Sequence, residues 1–103
     1  MALDWHVGEK APFEREAVSI EMDVHLRLLD LARAGRAPSL RRPPDFYEDA
    51  MFSPAEVPEL LADVERLIGL AAEDAELLAF LRRLRSLVAD ALAHGRGVVA
   101  WAD

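Results

Sequence analysis

Apolar and polar positions alternate twice near the start of the chain. Leu3, Trp5 and Val7 are interleaved with Asp4 and His6. After a turn-like stretch from Gly8 to Pro12, Val18, Ile20, Met22, Val24, Leu26 and Leu28 are separated by Ser19, Glu21, Asp23, His25 and Arg27. A period of two is the signature of a strand with one buried face, because successive side chains point to opposite sides. The second run flows into Leu28-Leu29-Asp30-Leu31-Ala32-Arg33-Ala34, which is helical in composition, with Gly35 placed as a C-terminal stop. A strand near 16–23 giving way to a helix near 24–35 is the expectation. On a strand register both His6 and His25 face solvent, beside Asp4 and Asp23.

Residues 36–52, with Pro38, Pro43 and Pro44, read as a loop. A sharp boundary follows: Ser53 suits an N-cap, Pro54 the first helical position, and Glu56 completes a capping box. Val57, Leu60, Leu61, Val64, Leu67 and Ile68 then recur at three- and four-residue spacing, predicting an amphipathic helix of about four turns. Pro58 lies in its first turn, where a missing N–H costs little. A further helix is predicted from about Glu73 to His94, with Leu77, Leu81, Leu84, Val88 and Ala91 as its buried stripe, broadened by Leu78, Phe80, Leu87 and Leu92. Acids at its start and His94 near its end suit the macrodipole. Gly97 to Ala102 is short, apolar and β-branched, and reads as a closing strand. These elements predict an α+β fold, a small antiparallel sheet from the terminal segments packed with about three helices. An all-α chain with frayed ends is the alternative.

Composition narrows the chemistry. A length of 103 residues suits one domain, and an apolar share of 52% suffices for a core. No cysteine is present, which removes disulfides, thiolate metal sites and cysteine nucleophiles and fits a reducing cytoplasm. The start of the chain carries Asp4 and no basic or apolar run of the secretory kind, and no apolar stretch is long enough to span a membrane. The formal net charge is −7. Arg33, Arg36, Arg41 and Arg42 form a basic stretch; residues 45–76 then hold ten acids and only Arg66. Such a balance disfavours nucleic acid, whose phosphates need clustered cations, and suits a basic protein partner. Arg82, Arg83 and Arg85 wrap around the last helix and are expected to pair with acids of the helix before it. Trp5 and Trp101 are expected as core or interface anchors.

Catalytic and metal signatures are weak. Laid on a twelve-residue calcium loop, Asp45, Asp49 and Glu56 fall at ligand positions one, five and twelve. Tyr47 stands at position three, however, and Ala50 replaces the glycine of the sharp turn. His6, His25 and His94 have no metal-ligand spacing, and no phosphate-binding glycine loop or nucleophile elbow occurs. The expectation is no catalytic centre, no metal and no cofactor.

The acidic aromatic stretch Asp45 to Asp49, the capped helix from Ser53, the second helix and the ending Gly97-Val98-Val99-Ala100-Trp101-Ala102-Asp103 together resemble small bacterial proteins of the polymorphic-toxin immunity type, over roughly residues 17–103. Such proteins neutralise a toxin by occluding its active site. The resemblance implies a basic toxin as partner, no catalytic residue, and contacts from Asp45, Glu48, Asp49, Glu56 and Glu59. Phe46 and Tyr47 supply apolar surface beside them. A protein-interaction module presenting residues 45–60 is therefore the leading expectation. The alternative is a self-associating structural or regulatory subunit, a homodimer that extends a sheet through Trp101 and the terminal strand.

Overall fold

A computed structural model describes residues 2–7, 18–41 and 50–102 of the chain. Its elements are β1 (Ala2–Val7), β2 (Val18–Glu21), α1 (Met22–Ala34), a 3₁₀ turn (Pro38–Arg41), β3 (Ala50–Phe52), α2 (Val57–Leu70), α3 (Ala75–Ala93) and β4 (Val98–Ala102). The fold is α+β, and the described residues form three helices and a four-stranded sheet in the order β2-β1-β4-β3. Every pairing is antiparallel. The segments nearest the two ends of the chain lie side by side at its centre, Trp5 opposite Ala100 and Val7 opposite Val98.

Strand alternation divides the sheet into two faces. Trp5, Val7, Ile20, Phe52, Val98 and Ala100 belong to the same buried cluster as the helices' apolar stripes. Asp4, His6, Ser19, Met51 and Val99 occupy the other parity, as the registers Asp4↔Ser19, His6↔Val99 and Met51↔Val99 require. On the helix side, Leu60, Val64 and Leu67 of α2 and Leu81, Leu84 and Val88 of α3 are completely buried. Each such leucine contributes roughly 1.5–3 kcal/mol of transfer free energy. The α2–α3 hairpin and the β1–β4 ladder are accordingly the two most extensive pairings in the structure.

The strand-to-helix switch comes at Glu21–Met22, two residues before the expected crossover. Glu21 is still extended (φ −77°, ψ 158°), and from Met22 the burial follows helical spacing: Val24, His25, Leu28, Leu29 and Ala32. The expectation for His25 is reversed. His25 is completely buried, and Leu26, on the apolar side of the strand pattern, is 55% exposed.

Helix α1 ends with a Schellman-type closure in which Ala37 N–H donates to Ala32 O (2.9 Å). The left-handed residue of that closure is Arg36 (φ 54°), one position after the predicted stop, while Gly35 sits at φ −87°. The space at Gly35 is tight: a Cβ there would meet Leu70 Cδ1 at 2.7 Å and Leu67 Cδ2 at 2.9 Å, so both leucine side-chain ends would have to shift. Helix α3 closes the same way, Arg96 N–H to Ala91 O (2.9 Å) and Gly95 N–H to Leu92 O (3.2 Å), with glycine in the left-handed position (φ 64°). An L-residue in that conformation carries a cost that glycine avoids. Arg36→Gly is therefore expected to raise stability by about 0.5–1 kcal/mol in urea denaturation, after allowing for glycine's freer unfolded state. The bond from Arg66 Nη1 to the Arg36 carbonyl (3.0 Å) survives the change, because its acceptor is backbone.

Two parts of the expected 36–52 loop are structured: the 3₁₀ turn and the three-residue edge strand β3. Buried Asp63 of α2 holds the turn by accepting the Ser39 backbone N–H at 3.1 Å. Helix α2 begins at Val57, three residues after the predicted first helical position. Residues 54–56 form a turn in which Glu56 N–H donates to Ser53 O (2.9 Å) and Ser53 N–H donates to the Glu56 carboxylate (2.9 Å). The second bond is one half of a capping box, made one turn ahead of the helix.

Candidate functional site

Of the predicted contact residues, Asp45, Phe46, Tyr47, Glu48 and Asp49 lie outside the described residues. Glu56 and Glu59 lie at the start of α2. Glu56 is half-buried, its carboxylate engaged by Ser53 N–H, whereas Glu59 projects from the first helical turn. The stretch around them is fixed and presented at once. Phe52 and Val57 anchor it in the core, with the Phe52 ring stacked on Trp5 at 5.8 Å between centroids and 23° between planes. Met51, 60% exposed, and Pro54, Pro58 and Glu59 face outward. The calcium-loop pattern spans this stretch too, but its last three described positions before Ser53 form β3, and its final carboxylate already accepts a backbone N–H.

The second region is the sheet face opposite the helices. His6 was expected to face solvent; it is only 2% exposed, with Val99 beside it at 3%. His6 has the parity opposite the helices, but it is buried there together with Val99. Neither ring nitrogen of His6 has a hydrogen-bond partner among the described residues. Burial pushes its pKa below the ordinary 6.5, and the Asp4 carboxylate opposes the shift only partly. Asp4 instead accepts a short bond from Ser19 Oγ (2.6 Å). Serine, carboxylate and imidazole are thus neighbours, yet the wiring is not that of an activated nucleophile: the serine bonds the acid directly, and the imidazole is not between them.

A folded pKa below the unfolded one means that the unfolded chain takes up the proton first. The contribution of neutral His6 is complete above about 6.5, erodes as the pH falls below that value, and levels off once the folded pKa is passed. His6→Leu is expected to flatten stability just below about pH 6.5, where the parent begins to lose stability; denaturation midpoints at half-unit intervals check this. A variant retaining the parent's full slope would show that some other group carries it.

The third region was not legible in the sequence. Between α1 and the α2–α3 connection lies an open groove of about 440 Å³. Its floor is apolar, made by Leu31, Ala34, Leu70, Ala71 and Leu77, and its rim carries Arg27, Asp30, Glu73 and Asp74. Arg27 bridges the wall. Its Nη1 donates to both Asp74 oxygens (2.8 and 2.7 Å) and its Nη2 to Glu76 (2.8 Å), with Asp23 at 3.9 Å. The bond to Glu76, with further support from Asp74, holds the guanidinium pKa above its ordinary value against the opposing effect of desolvation. Asp74 also caps α3 by accepting Leu77 N–H at 3.2 Å. In the sequence Leu70 merely continues the α2 stripe one step past Leu67; only the structure sets it beside Gly35, where a Cβ would meet its Cδ1 at 2.7 Å.

His94 is a helix C-terminal residue, its Nδ1 2.8 Å from the Asp90 carbonyl. Arg82, Arg83 and Arg85 are exposed and form no ion pair with α2 among the described residues; they lie along the outer side of α3, away from its buried stripe. Trp5 is completely buried, as expected. Residues Val98–Ala100 of β4 are paired on both sides, so the terminal strand offers no free edge there for a partner's strand. Among the described residues no three metal-binding side chains converge, and no helix is long and apolar enough to cross a membrane. Comparison with known proteins finds no family model that matches the chain and no similar curated protein or solved structure.

Proposed function

We propose that the chain is a non-enzymatic protein-interaction module, of the immunity-like kind, that binds a basic partner in the cytoplasm through the acidic segment leading into α2. The observation that carries this reading is the rigid presentation of residues 50–59. Phe52 and Val57 fix the stretch from within, while Met51, Pro58 and Glu59 stand in solvent. A surface already held in place loses little conformational freedom on binding, so its apolar contacts translate into affinity. The surrounding negative charge, −7 over the chain, accelerates encounter with a cationic protein.

The test is capture of a partner from the source cells, followed by reconstitution from purified components. The reading expects a 1:1 complex whose association rate falls by about tenfold or more between 50 and 500 mM salt. Glu59→Lys should slow association further. A partner bound equally fast at both salt concentrations would overturn the charge-driven mechanism. A stable salt-insensitive dimer in light scattering, with no other protein recovered, would favour the self-associating subunit instead.

A further inference from the structure

We propose that the groove between α1 and the α2–α3 connection is a docking slot for one large apolar side chain flanked by arginine or lysine on a partner protein. The inference rests on the reading of the chain as a binder of basic proteins, but it assigns a different surface from residues 50–59. It also specifies the chemistry of the segment received.

The floor sets the central requirement. Leu70 ends α2 with 54% of its surface in solvent, three positions after completely buried Leu67, and Leu31 is only partly buried beside it. An apolar side chain laid across them removes exposed hydrocarbon from water on both sides of the contact. A volume of about 440 Å³ lies near the lower end of ligand-binding clefts and suits one or two side chains rather than a whole helix.

The rim decides the charge of the flanks. Among the described residues Arg27 is the one cation lining the groove, and it is tied to Asp74 and Glu76. Asp30 meets only Arg33, at 4.0 Å and well exposed, and exposed Glu73 forms no ion pair among the described residues. Asp23, Asp30, Glu73, Asp74 and Glu76 together set five carboxylates against two guanidinium groups. An anionic ligand or a nucleic acid would meet repulsion on both sides. The α3 N-terminus offers no anion site either, since Asp74 already occupies its cap.

The test uses the whole chain, ¹⁵N-labelled, and an acetylated, amidated hexapeptide with leucine and tryptophan between two pairs of arginines. Controls are hexa-arginine and the same peptide with glutamates for arginines. Saturable shifts of the Leu31, Ala34, Leu70 and Ala71 amides are expected at 50 mM salt. Leu70→Ser should weaken binding about tenfold, and Asp30→Asn with Glu73→Gln about threefold. Leu70 is half-exposed at a helix end, and the double variant alters only rim charge, so either reports even if the other perturbs the fold.

Equal binding of hexa-arginine would overturn the slot, reducing the effect to charge. Shifts confined to residues 50–59 would overturn it while supporting the surface proposed above. Absence of any shift would also overturn it; the partner-reconstitution experiment then decides the broader reading on its own.

Discussion

Trp5→Ala is expected to lower folding stability by about 3–5 kcal/mol, a third or more of what a domain of this length commonly possesses. Trp5 is completely buried and links all four strands. It pairs with Val18 of β2 and Ala100 of β4, and its ring stacks on Phe52 of β3. The small Ala100 opposite it leaves room for the indole to reach across β4. Removing the ring forfeits the buried area and opens a cavity that four strands cannot collapse into without breaking register. Trp5→Phe discriminates this account from a polar one. The indole Nε1 has no acceptor among the described residues, so losing it relieves a buried, unbonded donor. The phenyl variant should stay within about 1 kcal/mol of the parent in urea unfolding followed by circular dichroism. A phenyl variant as damaged as the alanine one would show that the N–H is bonded and that stacking is not the main contribution.

Legibility in the sequence followed the length and regularity of each element. The stripe from Val57 to Ile68 and that from Leu77 to Ala91 each repeat for several turns, and both helices lie where that spacing places them. β1 and β2 were legible because alternation persists for four or more positions, and β4 because it is a short apolar run opened by two β-branched valines. β3 was not: Ala50-Met51-Phe52 is too short to establish a period and is a strand only because β4 offers it an edge. The run from Val18 to Leu28 satisfies both periods over part of its length. Where the backbone changes from one to the other decides whether His25 or Leu26 is buried, and local pattern alone does not locate that point. For the candidate sites, charge and apolarity along residues 50–59 were visible locally. The groove was not, because Leu31, Leu70 and Asp74 meet only after the helices pack.

Gly97→Ala is the other large expected loss, about 2–3 kcal/mol, and its cause differs from that at the neighbouring Gly95. Gly95 has positive φ and open space around a notional Cβ, so alanine there meets only backbone strain, about 1 kcal/mol. A Cβ on Gly97 would instead overlap the Phe52 carbonyl oxygen, with Pro54 Cδ also close at 3.7 Å. Backbone cannot swing aside as a flexible side-chain end can, so relief requires the end of β3 to separate from the start of β4, where Phe52 pairs with Val98. That movement also disturbs the Trp5–Phe52 stack and releases the anchor from which Ser53 to Glu59 is presented. Amide exchange in Gly97→Ala should therefore quicken through residues 51–57 beyond what the global loss explains, while α3 retains its protection relative to global unfolding. Gly95→Ala should leave residues 51–57 unaffected apart from the global change. Equal losses in the two variants, or exchange rising uniformly along the chain in Gly97→Ala, would show that the close approach of Gly97 to Phe52 does not hold this edge of the sheet.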